Sequence, residues 1–259
     1  MSNIIIGVIS HKEYNMPNDP IYLPVEVGAS NRDKHFFSFR DDIGENISTK
    51  NASYCELTGY YAVYKNLNYD ILGFVHYRRL FISPKNKNKR KPELLKKEEI
   101  EAYLSKYDFI LPKKRNYYIE TNYKHYIRAH KKEALDKLSE IIKNDYPAYY
   151  ESFIKQMNKK TCHLFNMFIA KKENANAYLD FIFEVLGKLE KKINLDDYKG
   201  YDKRVFGFLA ERLLDVYIDT NKLTFIELPY YFTEKQNIFK KIIKCLFRII
   251  NKNHDTSKQ

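Results

Sequence analysis

The sequence predicts an α/β fold in which a mostly parallel sheet is flanked by helices. Residues 4–9 and 69–75 are apolar runs of the length and composition of strands that are buried on both faces. Residues 53–67 lie between them and have a helical pattern, so the three segments form the β-α-β unit of a parallel sheet. Eight glycines and eight prolines in 259 residues are too few for a turn-rich all-β protein or a disordered chain.

The other segments continue this alternation of strands and helices. Their apolar spacing predicts strands at residues 21–27, 107–111, 163–170 and 223–228, and helices at 92–105, 131–144, 149–158, 176–193 and 202–217. The chain is long enough for one large domain, predicted at residues 1–233, and a separate basic tail at 234–259.

The charge and the cysteines limit the classes of protein that fit. A formal charge of +12 and a pI near 9.3 indicate a polyanionic partner, which could be nucleic acid, an acidic membrane surface or a phosphorylated ligand. Cys55, Cys162 and Cys245 have no C-x-x-C spacing, so neither a disulfide framework nor a zinc site is predicted and a reducing compartment fits. Neither a signal peptide nor a membrane-spanning helix is predicted.

Donors and cations follow the second predicted core strand abruptly, in the order His76, Tyr77, Arg78 and Arg79. Ligands of open α/β sheets bind outside the carboxyl ends of the strands, so this position predicts a site for an anion. If the chain stays extended, His76 and Arg78 share one side and Tyr77 and Arg79 the other. The alternative is that both arginines form salt bridges at an ordinary strand end.

Three further polar features have both a structural and a functional interpretation. His11 and Lys12 follow the first strand and either contact a ligand or form a solvated strand end. Asn166 interrupts an apolar strand and would be costly to bury unpaired, so it is either a hydrogen-bond hub or a ligand contact. The basic loop at residues 84–91 is either a solvated loop or a phosphate-binding lid.

The tail has apolar residues at helical spacing and lysines or arginines on its remaining faces, from residue 236 to 252. A basic amphipathic helix of this kind can lie in the interface of an anionic membrane. The competing interpretation is a helix that docks on the protein's own core.

The motif search excludes several kinds of phosphate and metal site. The chain has no G-x-G-x-x-G, no Walker motif, no H-E-x-x-H and no G-x-S-x-G. It also lacks the D-x-D spacing with which carboxylates hold a metal bridged to phosphates, so no metal or other cofactor is predicted. Cationic side chains can neutralise a diphosphate leaving group in place of a metal ion.

Several blocks of the sequence resemble a family of bacterial capsular and exopolysaccharide glycosyltransferases. The resemblance runs from about residue 4 to 230 and is carried by residues 11–12, 27–29, 42–48, 50–58, 65–66, 76–81, 166–169 and 204–214. It implies a nucleotide-sugar-dependent transferase with a GT-A-like, Rossmann-related fold. By analogy with some family members, UDP-galactofuranose is the leading donor, and the acceptor is a lipid-linked saccharide at the cytoplasmic face of the cell membrane.

The resemblance also implies roles for individual residues. The predicted donor-binding residues are His11, Lys12, Asp42, Asn46, Ser48, His76, Arg78 and Arg79. Asn166 and Arg204 are expected to orient the acceptor or the donor sugar. Inversion by direct displacement needs a carboxylate base, for which Glu211 is the first choice and Asp202 the second. The alternative for Glu211 is an ordinary helix charge paired with its arginine neighbours.

Two other functions remain open from the sequence alone. A basic nucleic-acid-binding protein would explain the charge, with the loop at residues 84–91 and the tail contacting phosphates. It would not explain the core strand that ends in arginines. A sugar-binding module without catalysis is the third possibility.

Overall fold

The computed structural model describes residues 2–85 and 92–234. The predicted tail helix at residues 236–252 lies outside the described residues. So do most of the basic loop at 84–91 and almost all of the tail predicted at 234–259. In the part that is described, no helix has the length and hydrophobicity that would let it cross a bilayer.

Ten strands and eight helices alternate along the described chain. The strands are β1 (Ile4–Ser10), β2 (Tyr22–Glu26), β3 (Ile71–His76), β4 (Arg79–Phe81), β5 (Phe109–Pro112), β6 (Arg115–Asn116), β7 (Thr161–Cys162), β8 (Phe168–Lys171), β9 (Phe225–Leu228) and β10 (Tyr230–Phe232). The helices are α1 (Asn51–Tyr54), α2 (Leu57–Asn66), α3 (Lys97–Leu104), α4 (Asn122–Ala129), α5 (Lys132–Asp145), α6 (Pro147–Asn158), α7 (Lys172–Glu190) and α8 (Val205–Thr220).

The main sheet has the strand order β2-β1-β3-β8-β5-β9 and confirms the predicted α/β fold. β1 runs parallel to both β2 and β3, and β5 runs parallel to β9. β8 is antiparallel to both of its neighbours, so the sheet is mixed at its centre. β4 and β10 extend the sheet beyond the carboxyl end of β3, and β6 and β7 form a separate two-stranded ribbon.

Both faces of the sheet are covered, as the apolar runs predict. Along β3, Leu72 and Phe74 join the larger core beneath α2, α7 and α8, while Ile71 and Val75 join the core on the opposite face, where α3 lies. This alternation follows from the two-residue period of a strand. The sheet therefore has no polar face, and its functional groups are confined to strand ends.

Gly7 allows the aromatic packing that holds β1, β3 and α2 together. It lies opposite Phe74 in the parallel ladder, and a Cβ atom at this position would come within 2.9 Å of the Phe74 ring. The ring of Tyr60 on α2 stacks on the same phenylalanine at a centroid distance of 3.8 Å. The close packing fixes the carboxyl ends of both strands beneath one end of α2.

The predicted helix at 92–105 begins only at Lys97. Three other predicted segments differ from the structure near the later site. The predicted helix at 53–67 is divided at Cys55, whose φ of 55° leaves the right-handed helical region. The predicted strand at 163–170 is shorter, because Phe165 and Asn166 have φ angles of 76° and 54° and form a turn before β8. Asp202 lies in a 3₁₀ turn that precedes α8, not in the helix itself.

Candidate active site

A cavity of about 610 Å³ opens at the carboxyl ends of β1 and β3. The two strands are parallel neighbours with Ile9 opposite His76, so both end at the same edge of the sheet. Ser10 and His11 line the cavity from β1, and His76 lines it from β3. The position is the one at which open α/β sheets bind ligands, and it agrees with the predicted place.

The chain does not stay extended after His76. Tyr77 and Arg78 form a tight turn, and Arg79 begins β4 and pairs with His76 in an antiparallel arrangement. The predicted division of these side chains between two faces is therefore wrong, because a turn replaces the strand. All four line the cavity.

Arg79 is the cation of this hairpin that forms no ion pair within the described residues. Its guanidinium carbon lies 4.0 Å from the centre of the Phe165 ring and 5.4 Å from that of Phe232. Within residues 2–85 and 92–234, no carboxylate lies within 4.0 Å of it, and burial lowers its pKa. Because an arginine keeps its proton in proteins, the cavity holds a partly buried positive charge with capacity to bind an anion.

Arg78 has a carboxylate partner. Its Nε atom lies 2.8 Å from Glu234, and the Lys12 ammonium lies 3.2 Å from the other oxygen of the same carboxylate. The salt-bridge alternative therefore holds for Arg78 and not for Arg79. Arg78 still lines the cavity, so its charge is available to a ligand that displaces Glu234.

His76 is held by a backbone carbonyl. Its Nε2 atom lies 2.7 Å from the carbonyl oxygen of Phe165, which can only accept, so this nitrogen carries the proton. Burial lowers the pKa of His76. The ring is therefore suited to be neutral, and it fixes the turn whose phenylalanine supports Arg79.

Two carboxylates line the cavity from the helical side. Glu211, on α8, accepts the Phe165 N–H at 2.9 Å and pairs with Arg212 at 2.9 Å through its other oxygen. Burial raises the pKa of Glu211, and the nearby charge of Glu56 raises it further. Glu56 precedes α2 and accepts an N–H of Asn166 at 2.8 Å. A carboxylate with a raised pKa beside a cation fits a proton acceptor.

Asn166 acts as the hydrogen-bond hub of this wall. Its side-chain Nδ2 atom donates to Glu56 and, at 3.1 Å, to the Gly207 carbonyl. Its backbone carbonyl accepts a hydrogen bond from the Tyr60 hydroxyl at 2.9 Å. The side chain is buried, and its Oδ1 atom has no partner within the described residues. Asn166 itself does not line the cavity. Phe165, the other residue of the same strained turn, does.

Arg204 immediately precedes α8 and lies across the cavity wall. Its Nε atom donates to the Cys55 sulfur at 3.2 Å, and its Nη2 atom lies 4.0 Å from Glu56. Its guanidinium also lies over the rings of Tyr201 and Phe208, at 5.5 and 5.2 Å. The predicted sugar-binding residue is therefore part of the cavity.

Asp41, which the sequence did not single out, holds together the segment from which three donor contacts were predicted. It is buried and accepts hydrogen bonds from the backbone N–H groups of Gly28 and Ala29 and from the hydroxyls of Ser48 and Thr58. The predicted donor contact Ser48 is thus a buried partner of Asp41. Its hydroxyl proton is used inside the protein.

Four more predicted residues do not line the cavity within the described residues. Asp42 pairs with Arg40, and Asn46 donates to the carbonyls of Asp42 and Gly44. Lys12 stands at the edge with Glu234, as described above. Asp202, the second choice for the base, lies 3.2 Å from the Nδ1 atom of His130.

One end of the cavity is an aromatic and basic wall that the sequence did not single out. Tyr117 stacks on His125 at 3.9 Å, and Phe208 stacks on His130 at 4.1 Å. Burial, together with neighbouring arginines, lowers the pKa of His125 to about 3. The five-residue spacing of His125 and His130 along the chain gives no signal for a cavity wall.

Glu56, Arg115 and Tyr201 also line the cavity, and the sequence did not single them out as site residues. Glu56 had a usable signal, since an acidic residue next to a core helix has few structural partners. Arg115 and Tyr201 had none, because they lie in short segments between predicted elements. In the described part of the chain, no group of three or more histidine, cysteine, aspartate or glutamate side chains is arranged to hold a metal ion.

The family model described as "Domain of unknown function (DUF4422)" matches residues 5–222. The chain belongs to the DUF4422 family. This chain is also similar to the solved apo structure of the WbbM bifunctional glycosyltransferase, with a TM-score of 0.81 and 29% sequence identity. The match covers 90% of this chain and 46% of that one, so this DUF4422 protein spans about half the length of WbbM. No curated protein matches the chain.

Proposed function

We propose that this DUF4422 protein is a glycosyltransferase that uses a nucleotide sugar. The observation that carries the proposal is the cavity at the ends of β1 and β3, which combines Arg79, a cation without an ion pair in the described chain, with the partly buried carboxylate Glu211. The first is suited to a diphosphate and the second to the proton of an acceptor hydroxyl. Similarity to WbbM, which is described as a bifunctional glycosyltransferase, supports the reaction class.

In this proposal, Arg79 and Arg78 bind the donor diphosphate and stabilise the charge that develops on it as the sugar leaves. Arg79 needs no rearrangement of ion pairs, whereas Arg78 must leave Glu234. A charge-assisted hydrogen bond of this kind contributes about 1.5–3 kcal/mol. His11 and Lys12 contact the nucleotide at the end of β1.

His76 is a positioning residue in this scheme. A neutral ring whose Nε2–H donates to the Phe165 carbonyl has no second donor for a phosphate oxygen. It holds the Phe165 ring beneath Arg79 instead. We therefore keep His76 near the diphosphate, as predicted, but its ring contacts the Phe165 carbonyl and not a phosphate oxygen.

Glu211 is proposed as the base of an inverting displacement. The acceptor oxygen attacks the anomeric carbon while its proton passes to Glu211, and the bond to the diphosphate breaks with the electron pair on the phosphate oxygen. Arg212 and the Phe165 N–H fix the carboxylate, and each oxygen keeps a further lone pair. Glu56 replaces Asp202 as the second choice, because Glu56 lines the cavity.

Asn166 orients the sugars indirectly, through its hydrogen bond to Glu56. Arg204 orients them from the cavity wall. Direct donor contacts by Asp42, Asn46 and Ser48 have no support from the geometry, so we assign these residues to the support of the segment around Asp41. By family resemblance, we propose UDP-galactofuranose as the donor and a lipid-linked oligosaccharide of a capsule, exopolysaccharide or O-antigen as the acceptor. The protein would act at the cytoplasmic membrane face, with residues 236–252 on anionic lipid.

A panel of nucleotide sugars and free UDP, tested by thermal shift with and without EDTA, examines the proposal directly. A ligand that binds the folded state raises the melting temperature. We expect UDP and one UDP-sugar to do so, and Arg79→Gln to remove the shift while the variant stays folded. Salt-sensitive RNA binding without any nucleotide-sugar effect would favour the nucleic-acid alternative. Binding without transfer or hydrolysis of the donor would favour a sugar-binding module.

A further inference from the structure

The cavity extends well beyond the groups that the proposed donor chemistry uses. Its aromatic end is lined by Arg115 on β6 and Tyr117 just after that strand, and by Tyr201 in the 3₁₀ turn and Phe208 on α8. None of these four residues takes part in the donor site described above. A volume of about 610 Å³ leaves space for a second ligand beside a sugar diphosphate.

Tyr201 offers an open aromatic face at this end. It is 61% exposed, unlike the other tyrosines that line the cavity, although it packs against Phe208 at a centroid distance of 4.9 Å. His130 and Arg204 also lie against this ring, at 5.8 and 5.5 Å, and together these contacts leave most of the side chain exposed. An amphipathic ring held in this way can pack against the apolar C–H face of a sugar and leave the hydroxyl groups in water.

Arg115 supplies a positive charge in the wall of the same cavity. It lies on the short strand β6, and its guanidinium carbon is 5.9 Å from the centre of the Tyr117 ring. No acidic side chain in the described segments, residues 2–85 and 92–234, lies within ion-pair distance of it. The charge is therefore available to a ligand, and its place on a strand paired with β7 limits its freedom.

The order of residues along α8 connects this end of the cavity with the proposed base. Phe208 and Glu211 are three residues apart, so they lie on one face of the helix, about 4.5 Å apart along its axis. An acceptor hydroxyl that reaches Glu211 therefore places the rest of the acceptor sugar near Phe208 and Tyr201. The donor cation Arg79 lies at the strand ends, where it begins β4.

We infer that Tyr201, Phe208 and Arg115 form the acceptor subsite and that it takes a saccharide carrying an anionic group. The inference rests on the proposed glycosyltransferase function and deepens it by naming the chemical class of the acceptor. The sugar packs on Tyr201 and Phe208, and Arg115 binds the anion. A carboxylate on the sugar and the diphosphate of a lipid carrier have the same charge chemistry, and the test separates them.

Binding is measured by saturation-transfer NMR with three probes, with and without saturating UDP. The probes are octyl β-glucuronide, which carries a carboxylate, octyl β-galactoside, which is neutral, and a short prenyl diphosphosugar. We expect one of the two anionic probes to bind at least about tenfold more tightly than the neutral one, since only an anion forms a charge-assisted hydrogen bond with arginine. The favoured probe identifies the source of the anion.

Two variants then assign the binding to the subsite. Arg115→Gln should remove the preference for the anionic probe, and Tyr201→Ala should weaken all three probes by about fivefold or more. Both side chains are exposed, so the fold should tolerate their loss. Lys113→Gln and Tyr118→Ala are matched controls, because they alter an exposed lysine and an exposed tyrosine that do not line the cavity.

The affinity for UDP distinguishes this inference from the proposed function. We expect the UDP dissociation constant to be the same in wild type and in all four variants. A tenfold loss of UDP affinity in Tyr201→Ala or Arg115→Gln would overturn the inference, because the wall would then belong to the nucleotide. Equal binding of anionic and neutral probes would overturn it as well. Wild-type protein that binds no UDP but shows the Arg115-dependent preference would contradict the donor proposal alone.

Discussion

Three acidic residues of this protein have very different surroundings, and these surroundings decide what each side chain can do. Glu211 is enclosed, with a raised pKa and a fixed orientation. Asp41 is enclosed too, but it is surrounded by four internal donors, so it serves as an anchor. Asp42 lies on the other side of the chain and pairs with an arginine. The residue type alone carries none of these distinctions.

The pH dependence of transfer tests Glu211 as the base. Because burial raises its pKa, transfer should fall as the pH is lowered through a value above the usual carboxyl range, where the carboxylate becomes protonated. The contribution of Glu211 to the free energy of unfolding changes with pH in the opposite direction. It is fully present at low pH and is lost as the pH rises through the raised pKa.

Glu211→Gln should lower the rate about 10²- to 10⁴-fold and remove this pH dependence. Initial rates over a range of pH, with circular dichroism to confirm folding, measure both effects. Glu56→Gln is the matched comparison. A near-normal rate in Glu211→Gln together with an inactive Glu56→Gln would transfer the role to Glu56.

Asp41 and Asp42 form a natural pair of adjacent test sites. Asp41→Ala leaves four buried donors without an acceptor and should lower the free energy of unfolding by about 3 kcal/mol or more. Asp42→Ala removes one partly exposed ion pair and should cost less than about 1 kcal/mol. Urea unfolding measures the difference. A loss of UDP affinity in Asp42→Ala without a loss of stability would restore its predicted donor contact.

At the scale of elements, the site is formed where regular structure stops. The turn at Phe165 and Asn166 and the break at Cys55 both have positive φ angles, and they meet at Glu56, Glu211 and Arg204. Backbone strain of this kind persists only where surrounding contacts maintain it. At the turn these contacts are hydrogen bonds to Glu211 and Glu56, and at Cys55 they are hydrogen bonds from Asn51, Thr58 and Arg204.

Asn166→Gly and Asn166→Ala separate the strain at this turn from the side-chain contacts. Both variants lose the hydrogen bonds to Glu56 and Gly207, but glycine adopts a φ of 54° without penalty. The alanine variant should therefore be less stable than the glycine variant by about 1 kcal/mol. Equal unfolding free energies in urea would show that the turn is not under strain.

Two helical glycines should respond to alanine in opposite directions. A Cβ atom at Gly59, on α2, would lie 2.7 Å from Val27 and 3.0 Å from Ile9, so Gly59→Ala should destabilise the fold by about 1–3 kcal/mol. Gly187, on α7, has nothing within 4 Å of such an atom. Gly187→Ala should stabilise the fold by about 0.5–1 kcal/mol through helix propensity. Melting curves of both variants measure the two signs, and a stable Gly59→Ala variant would mean that α2 can move away from β1 and β2.

At the scale of the whole molecule, distant parts of the chain form the charged edge of the cavity. Lys12 follows β1, Arg78 follows β3, and Glu234, which follows β10, lies between them. The carboxylate occupies a place that an anionic ligand with two charges could take. The formal charge of +12 adds a long-range attraction for such a ligand, which salt screens.

Glu234→Gln should strengthen UDP binding, because it removes the competing carboxylate from both cations. These side chains are substantially exposed, so the gain should not exceed about fivefold. Glu190→Gln, which breaks an ion pair with Lys50 elsewhere, is the control. Calorimetric titration at low and high salt measures the effect. Weaker binding in Glu234→Gln would mean that Glu234 positions the cations for the ligand.

Much of the fold could be predicted because it depends on local patterns. The two-faced burial of β3 follows from an uninterrupted apolar run, and the parallel pairing of β1 and β3 follows from the helix between them. The strand ends located the cavity correctly, with His11, His76, Arg78 and Arg79 in its wall. The antiparallel insertion of β8 could not be predicted in this way, since a short apolar strand does not show its direction.

The sequence by itself determined the α/β architecture and the sheet edge at which charged groups collect, because hydrophobic period and strand ends are properties of consecutive residues. Only the tertiary structure decided which charges are neutralised. Glu234 lies 156 residues after Arg78 and yet pairs with it, while Arg79, the next residue, faces Phe165 and keeps its charge unpaired within the described chain. The physical reason is that ion pairing depends on distances of a few ångströms in space, which the spacing along the chain does not fix.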